Sequence, residues 1–122
     1  MALIFLVEDD EHHAFLMRRT LENQSHRVIW RRNGIGFLDT VLKERPDLIL
    51  LDIRLPDIDG VELLAQVKNN PSTVSIPVVI TTAVNLDDLY AECEAVGFEG
   101  YYVKPLVGDD LIEAISPFLH SN

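Results

Sequence analysis

The sequence predicts an α/β fold with a parallel sheet buried between two layers of helices, and three observations carry that prediction. Five short apolar runs with strand-like content recur along the chain, at Leu3–Val7, Val28–Trp30, Leu48–Leu51, Val78–Thr81 and Tyr101–Val103. Each is followed by a longer amphipathic stretch, so strands and helices alternate five times. The strands are mostly unbroken apolar rather than alternating, which indicates burial on both faces and hence a parallel sheet sandwiched by helices.

The helices follow in order. The first runs from about Asp10 to Asn23, with Asp10 as its N-cap and Ala14, Met17 and Leu21 on one face at i, i+3 and i+7; Phe15 points off that face. The second spans roughly Ile35 to Glu44 and is stopped by Pro46. The third follows the turn sequence Pro56-Asp57-Ile58-Asp59-Gly60, packs Val61, Leu64 and Val67, and ends before Pro71. The fourth covers about Leu86 to Val96, with Gly97 as its stop. The fifth starts near Gly108 and stacks Leu111, Ile115 and Phe118, although Pro117 should kink or end it about one turn early. No repeat, low-complexity tract or linker divides residues 1–122, which read as one domain.

Composition narrows the function classes. Hydrophobic residues at 48% and charged ones at 25% suit a chain that folds alone around its own core. Twenty Asp and Glu against ten Lys and Arg give a net charge of -10, which repels nucleic-acid backbones and anionic lipid; neither is an expected partner. Cys93 is the lone cysteine and can form no internal disulfide, the apolar runs are too short to span a bilayer, and the first residues lack a signal-peptide pattern. A cytoplasmic location is expected. His12, His13, His26 and His120 do not form the i, i+4 pair a transition metal would want, and all read as facing solvent or a partner.

In open parallel sheets, ligands collect beyond the carboxyl ends of the strands. Strand one ends there in Glu8-Asp9-Asp10, strand three in Asp52, strand four in Thr81-Thr82 and strand five in Lys104-Pro105. Taken singly, each has a structural explanation: acids cap helices, Lys-Pro is loop chemistry and Thr is a strand former. Together they gather at one edge. Glu8, Asp9 and Asp52 would bring three carboxylates close, a costly arrangement that a hard divalent cation relieves, and oxygen-only ligands suit Mg²⁺. One carboxylate is then free to act as a nucleophile on a phosphoryl group, with Lys104 balancing charge and the Thr82 hydroxyl donating to a phosphoryl oxygen.

These segments resemble the receiver domain of response regulators in two-component signalling, over the chain from Ile4 to about Leu119. Val7-Glu8-Asp9-Asp10-Glu11 is similar to its acidic opening, and Leu48-Ile-Leu-Leu-Asp52-Ile-Arg-Leu-Pro56-Asp-Ile-Asp-Gly60 to its phosphoacceptor strand and loop. Val79-Ile80-Thr81-Thr82-Ala83 matches the strand that ends in a hydroxyl residue, and Gly100-Tyr101-Tyr102-Val103-Lys104-Pro105 the lysine strand. The resemblance implies a flavodoxin-like (βα)5 three-layer sandwich with strand order 2-1-3-4-5. It makes Asp52 the acceptor of a phosphoryl group from a sensor histidine kinase or phosphotransfer protein, in a Mg²⁺-dependent reaction that switches protein contacts without making the chain a turnover enzyme. Asp9 would ligate Mg²⁺ directly, Glu8 mainly through water and Arg54 through its backbone carbonyl, beside Asp52. An Asp9-Asp10 pairing is the other register, but Asp10 is better placed as a cap. Thr82 and Lys104 would bind phosphoryl oxygens, Tyr101 would be the aromatic residue whose rotamer follows Thr82, and Lys104-Pro105 is a cis-peptide candidate.

By the same resemblance the kinase should meet His12, His13, Leu16, Arg19 and Thr20 on one side of the first helix, with Leu16 as an exposed apolar anchor. Output should pass through a downstream protein target, a phosphoryl relay or an output domain outside this sequence, because nothing after Leu119 could bind DNA or catalyse a reaction. Arg54 and Val84 occupy positions that vary in the family and affect phosphoryl lifetime. Two alternatives are weaker. Phosphatases of the haloacid-dehalogenase type also use a strand-end aspartyl nucleophile, but need a second Asp where this chain has Arg54. A degenerate, partner-binding receiver would lack the complete acid, hydroxyl and lysine set.

Overall fold

The computed structural model describes residues 1–119, and His120 therefore lies outside the described residues. Five strands alternate with five helices: β1 (Leu3–Val7), α1 (Glu11–Asn23), β2 (Arg27–Arg31), α2 (Phe37–Glu44), β3 (Leu48–Asp52), α3 (Gly60–Lys68), β4 (Val78–Thr82), α4 (Asp87–Val96), β5 (Gly100–Val103) and α5 (Gly108–Ile115). The strands form one parallel sheet in the order β2-β1-β3-β4-β5. This is the flavodoxin-like topology, with β1 flanked by β2 and β3 where the winding reverses.

Why the central strands are apolar without alternation is visible in their two faces. Ile4, Leu6, Leu48, Leu50 and Val79 pack with Met17 and Leu21 of α1 and Leu111 and Ile115 of α5. The intervening Phe5, Val7, Ile49, Leu51, Val78 and Ile80 pack on the opposite face with Phe37, Val41, Leu63, Leu64 and Val67 of α2 and α3 and with Cys93 of α4. Both sets are buried, so both parities of each strand must be apolar. Cys93 serves this core, where burial pushes its thiol up to about 11; it has no thiolate character to offer.

Helix boundaries differ from the sequence reading by a residue or two where local chemistry decides. Asp10 caps α1, its carboxylate accepting from the N–H groups of His12 and His13 at 3.0 and 3.2 Å. The second helix begins at Phe37 rather than Ile35, because Gly36 takes a left-handed conformation at φ 67° just before it. The α-helical part of α5 ends at Ile115, and Ser116–Phe118 tighten into a 3-10 turn containing Pro117, as its missing N–H requires. Gly60 opens α3 where its backbone passes so close to Ile53 that a Cβ would lie 2.4 Å from the Ile53 carbonyl oxygen. Its own N–H donates to that same oxygen at 3.1 Å.

At the amino end of the sheet one buried lysine ties several segments together. Lys68 Nζ, with a side chain 7% exposed, donates to the carbonyls of Val74 and Ile76 at 3.2 and 2.9 Å and to the Glu99 carboxylate at 2.8 Å. Glu99 in turn accepts from the Val78 N–H at 2.7 Å. No helix of the described residues is long and apolar enough to cross a membrane.

Candidate functional site

Strand register assembles the site. Val7 is level with Leu51, Asp52 with Thr81 and Thr82 with Val103, so Glu8, Asp52, Thr82 and Lys104 emerge at the same carboxyl edge. The Lys104–Pro105 peptide bond that follows β5 is cis. Asp52 is 1% and Glu8 0% exposed, whereas Asp9 is exposed at the mouth.

A single ammonium holds the two buried acids. Lys104 Nζ donates to Glu8 Oε2 and to Asp52 Oδ2, both at 2.7 Å. The Arg54 N–H donates to Asp52 Oδ1 at 3.0 Å. Burial drives the Asp52 carboxyl above its ordinary pKa, and the nearby Glu8 adds to that rise, while the bonds from Asp9, Lys104 and Arg54 oppose it. Glu8 goes the other way. Its burial also favours the neutral form, but hydrogen bonds from His13 and Lys104 and the Asp10 N–H outweigh it and hold the carboxyl below its usual range. The pKa of Asp9 is raised by burial and by the facing Asp52. Lys104 loses something to burial and gains more from Asp52 and Glu8, so its ammonium is held charged above the ordinary lysine range.

Around this core the other expected residues fall as follows. The Thr82 hydroxyl is turned to the Val84 carbonyl, to which it donates at 2.8 Å. Tyr101 is half-buried, packed edge-on against Tyr90 with ring centroids 4.9 Å apart, and its hydroxyl is buried with no hydrogen-bond partner among the described residues. The Arg54 side chain is exposed and Val84 is 39% exposed. An open cleft of about 500 Å³ adjoins the acids, lined by Asp9, Arg54, Pro56, Asp88 and Glu92 among others.

The outer face of α1 needs correction. His12 and Arg19 are exposed, but His13 is 6% exposed and lies inside, not on the solvent side. Positions 13, 17 and 21 are four apart, so His13 stacks in line with Met17 and Leu21 at the edge of the apolar stripe. Its imidazole lies 2.5 Å from Glu8 Oε1 and accepts from the Leu106 N–H at 3.0 Å. Leu16 is half-buried rather than an exposed anchor; the exposed apolar residue is Phe15, at 56%. Thr20 is half-buried as well, its hydroxyl donating to the Leu16 carbonyl at 3.0 Å and accepting from the Gly108 N–H at 3.1 Å. Sequence reasoning also missed Trp30, whose indole N–H donates to the Glu8 carbonyl at 2.8 Å while Arg18 and Arg32 each lie 5.7 Å from its ring.

Comparison with known proteins bears on what such a site is. The response regulator receiver domain family matches residues 4–116. The chain belongs to that family. The receiver is 34% identical over 116 residues to the polar-differentiation response regulator DivK of Brucella anthropi, covering 95% of this chain and 94% of the relative. It is 32% identical to sporulation initiation phosphotransferase F of Bacillus subtilis, over 95% of this chain and 92% of that one. Among solved structures, the receiver domain of a sensor histidine kinase from Pseudomonas aeruginosa PAO1, which has a magnesium ion coordinated in its active-site cleft, superposes with a TM-score of 0.86 at 26% identity, covering 96% of both chains. The chain shares with the receiver family the fold described above, and it carries the acidic cluster at the carboxyl edge of the sheet.

The acidic cluster itself fits a hard divalent cation. Glu8, Asp9 and Asp52 each offer an oxygen, all within 4.8 Å of one another. Among the described residues the one ammonium that pairs with them is Lys104, shared by Glu8 and Asp52, so three carboxylates face one lysine. That excess of negative oxygen, with no nitrogen or sulfur ligand in the cluster, suits Mg²⁺ rather than a softer metal.

Proposed function

We propose that this receiver accepts a phosphoryl group on Asp52 in a Mg²⁺-dependent reaction and thereby switches its contacts with other proteins. The observation that carries the assignment is that Asp52, the last residue of β3, joins the acidic cluster to Lys104 while its Oδ1 accepts one backbone N–H, that of Arg54, whereas both oxygens of the equally buried Glu8 are taken by His13, Lys104 and the Asp10 N–H. Its Oδ1 is oriented by the Arg54 N–H, and its Oδ2 by Lys104. Burial keeps water from competing for the carboxylate.

Asp9 and Asp52 would hold Mg²⁺ directly, with the Arg54 backbone carbonyl. Glu8 would act mainly through water, because its two oxygens already serve His13, Lys104 and the Asp10 N–H. When bound, the metal supplies positive charge that offsets carboxylate repulsion and phosphoryl charge. Lys104 is placed to release Glu8 or Asp52 and meet a phosphoryl oxygen, and Thr82 to exchange the Val84 carbonyl for another. With Thr82 turned inward, Tyr101 follows, since its buried hydroxyl has no partner among the described residues to hold it where it is. Asp52 is the nucleophile throughout; the remaining groups orient it and balance charge.

The phosphodonor would be the histidine of a sensor kinase or phosphotransfer protein, meeting the α1 surface where His12 and Arg19 are exposed on either side of the half-buried Leu16. A chain with net charge -10 disfavours nucleic acid as a direct partner. The test is intact-mass spectrometry after treatment with a small phosphodonor and Mg²⁺. One phosphate is expected on wild type and none on Asp52→Asn; equal uptake by the variant would overturn the assignment.

A further inference from the structure

Glu8 is the most fully tied carboxylate of the cluster, and one of its ties comes from outside the acid, hydroxyl and lysine set. His13 Nδ1 lies 2.5 Å from Glu8 Oε1, while Glu8 Oε2 accepts from Lys104 Nζ at 2.7 Å and from the Asp10 N–H at 3.1 Å. The other ring nitrogen of His13, Nε2, is 3.0 Å from the Leu106 backbone nitrogen. A backbone N–H can only donate, so Nε2 is the bare, accepting nitrogen. The ring proton then sits on Nδ1 and is donated to Glu8. His13, Glu8 and Leu106 are 6%, 0% and 3% exposed, so water cannot replace either bond without opening the core.

We infer that His13 is a positioning residue for phosphoryl transfer. It fixes Glu8 in the rotamer that presents Oε2 to Lys104, and so sets where the ammonium stands relative to Asp52. It also ties the chain just after β5 to α1, the helix that directly follows Glu8 and Asp9. Were Glu8 free to turn, Lys104 would lose one of its two carboxylate anchors. The ammonium would then no longer be held between Asp52 and the position of an incoming phosphoryl oxygen. This role rests on Asp52 as the acceptor.

Two amides separate the two bonds of the imidazole. The side-chain amide of Asn reaches about as far as Nδ1 and that of Gln about as far as Nε2. His13→Asn therefore keeps a donor for Glu8 and gives up Leu106, and His13→Gln does the reverse. His13→Leu removes both bonds while filling the space. With acetyl phosphate and Mg²⁺, the maximal rate of Asp52 phosphorylation should fall about tenfold or more in His13→Gln and His13→Leu, the weight of one hydrogen bond to a charged group. His13→Asn should stay within about threefold of wild type, with half-saturating donor concentration little changed in all three. Nitrogen NMR of wild type should show His13 as the Nδ1–H tautomer. A protonated Nε2 would overturn the inference whether or not the variants fold. So would folded Gln and Leu variants that react at the wild-type rate, or a His13→Asn loss equal to theirs. A wild type that takes up no phosphate on Asp52 would overturn the acceptor assignment and this role together.

Discussion

Neutralising Asp9 should stabilise the metal-free protein and at the same time abolish its response to Mg²⁺. The oxygens of Glu8, Asp9 and Asp52 lie within 4.8 Å of one another, and Lys104 pairs with Glu8 and Asp52 but not with Asp9. At 4.8 Å two unit charges repel by about 0.9 kcal/mol in bulk water and about 3.5 kcal/mol at an effective dielectric near 20. Asp9 is exposed and also feels the attraction of Lys104, so the lower end applies, and Asp9→Asn should gain about 1 kcal/mol. Wild type should recover more than this from the metal, about 2.7 kcal/mol at a hundredfold excess over Kd. Urea unfolding in EDTA and in saturating MgCl₂ measures all four values. The order of stability should invert: Asn above wild type in EDTA, wild type above Asn in Mg²⁺. A variant less stable than wild type in EDTA, or equal gains from Mg²⁺ in both proteins, would refute the charge argument.

Three further outcomes follow from other regions. The phosphorylated form should be long-lived for a receiver, because Val84 offers no hydrogen bond to an attacking water and Arg54 only donates; Arg54→Asn or Val84→Glu should speed loss of phosphate after donor removal, and unchanged decay in both would dismiss the idea. Gly60→Ala should destabilise by about 2 kcal/mol or more in urea, since the added Cβ meets Ile53 backbone atoms that cannot swing aside. His26 accepts from the Ala2 N–H through Nδ1 at 3.1 Å, and its pKa is lowered by burial and the nearby amino terminus, with Asp47 opposing. The unfolded chain therefore binds the proton more readily, and the stability His26 contributes is present above its ordinary value of 6.5 and lost as pH falls through the lower folded value. His26→Asn, which can still accept from Ala2, should show a shallower loss of melting temperature over that range; identical pH profiles would count against the assignment.

The fold was legible because its determinants are local and periodic. Five apolar runs, the Asp10 cap, Gly97 as a stop and Pro117 as an early end all mark their elements without reference to the rest of the chain. The chemistry at the sheet edge was legible for a related reason: parallel register carries Glu8, Asp52, Thr82 and Lys104 to one end once the strands are known. What escaped was how side chains settle between elements. His13 reads as polar and adjacent to His12, and only its spacing of four from Met17 hints that it turns inward; its partner Leu106 is 93 residues away. Leu16 reads as an exposed anchor for the same reason, since an apolar residue at the border of a helical stripe is assigned by its neighbours in space, whereas Phe15, read as pointing off the core face, is exposed. The left-handed Gly36 that delays α2 leaves no periodic trace.

The lysine buried at the opposite end of the sheet gives the molecule unequal compliance along its length. Around Lys68 the end of α3, the loop before β4 and the entry to β5 share one cation and one carboxylate, and each removes slack from the others. Any shift of one segment there must break bonds made by all three. At the other pole, Thr82 and Tyr101 have hydroxyls that are engaged, among the described residues, only locally or not at all. Strain introduced at the acidic end therefore has one direction in which to relax, outward into α4, while the far end serves as a fixed footing. Amide exchange should be slowest around Val78 and Gly100 and fastest beyond Thr82, with the gradient running along β4 itself.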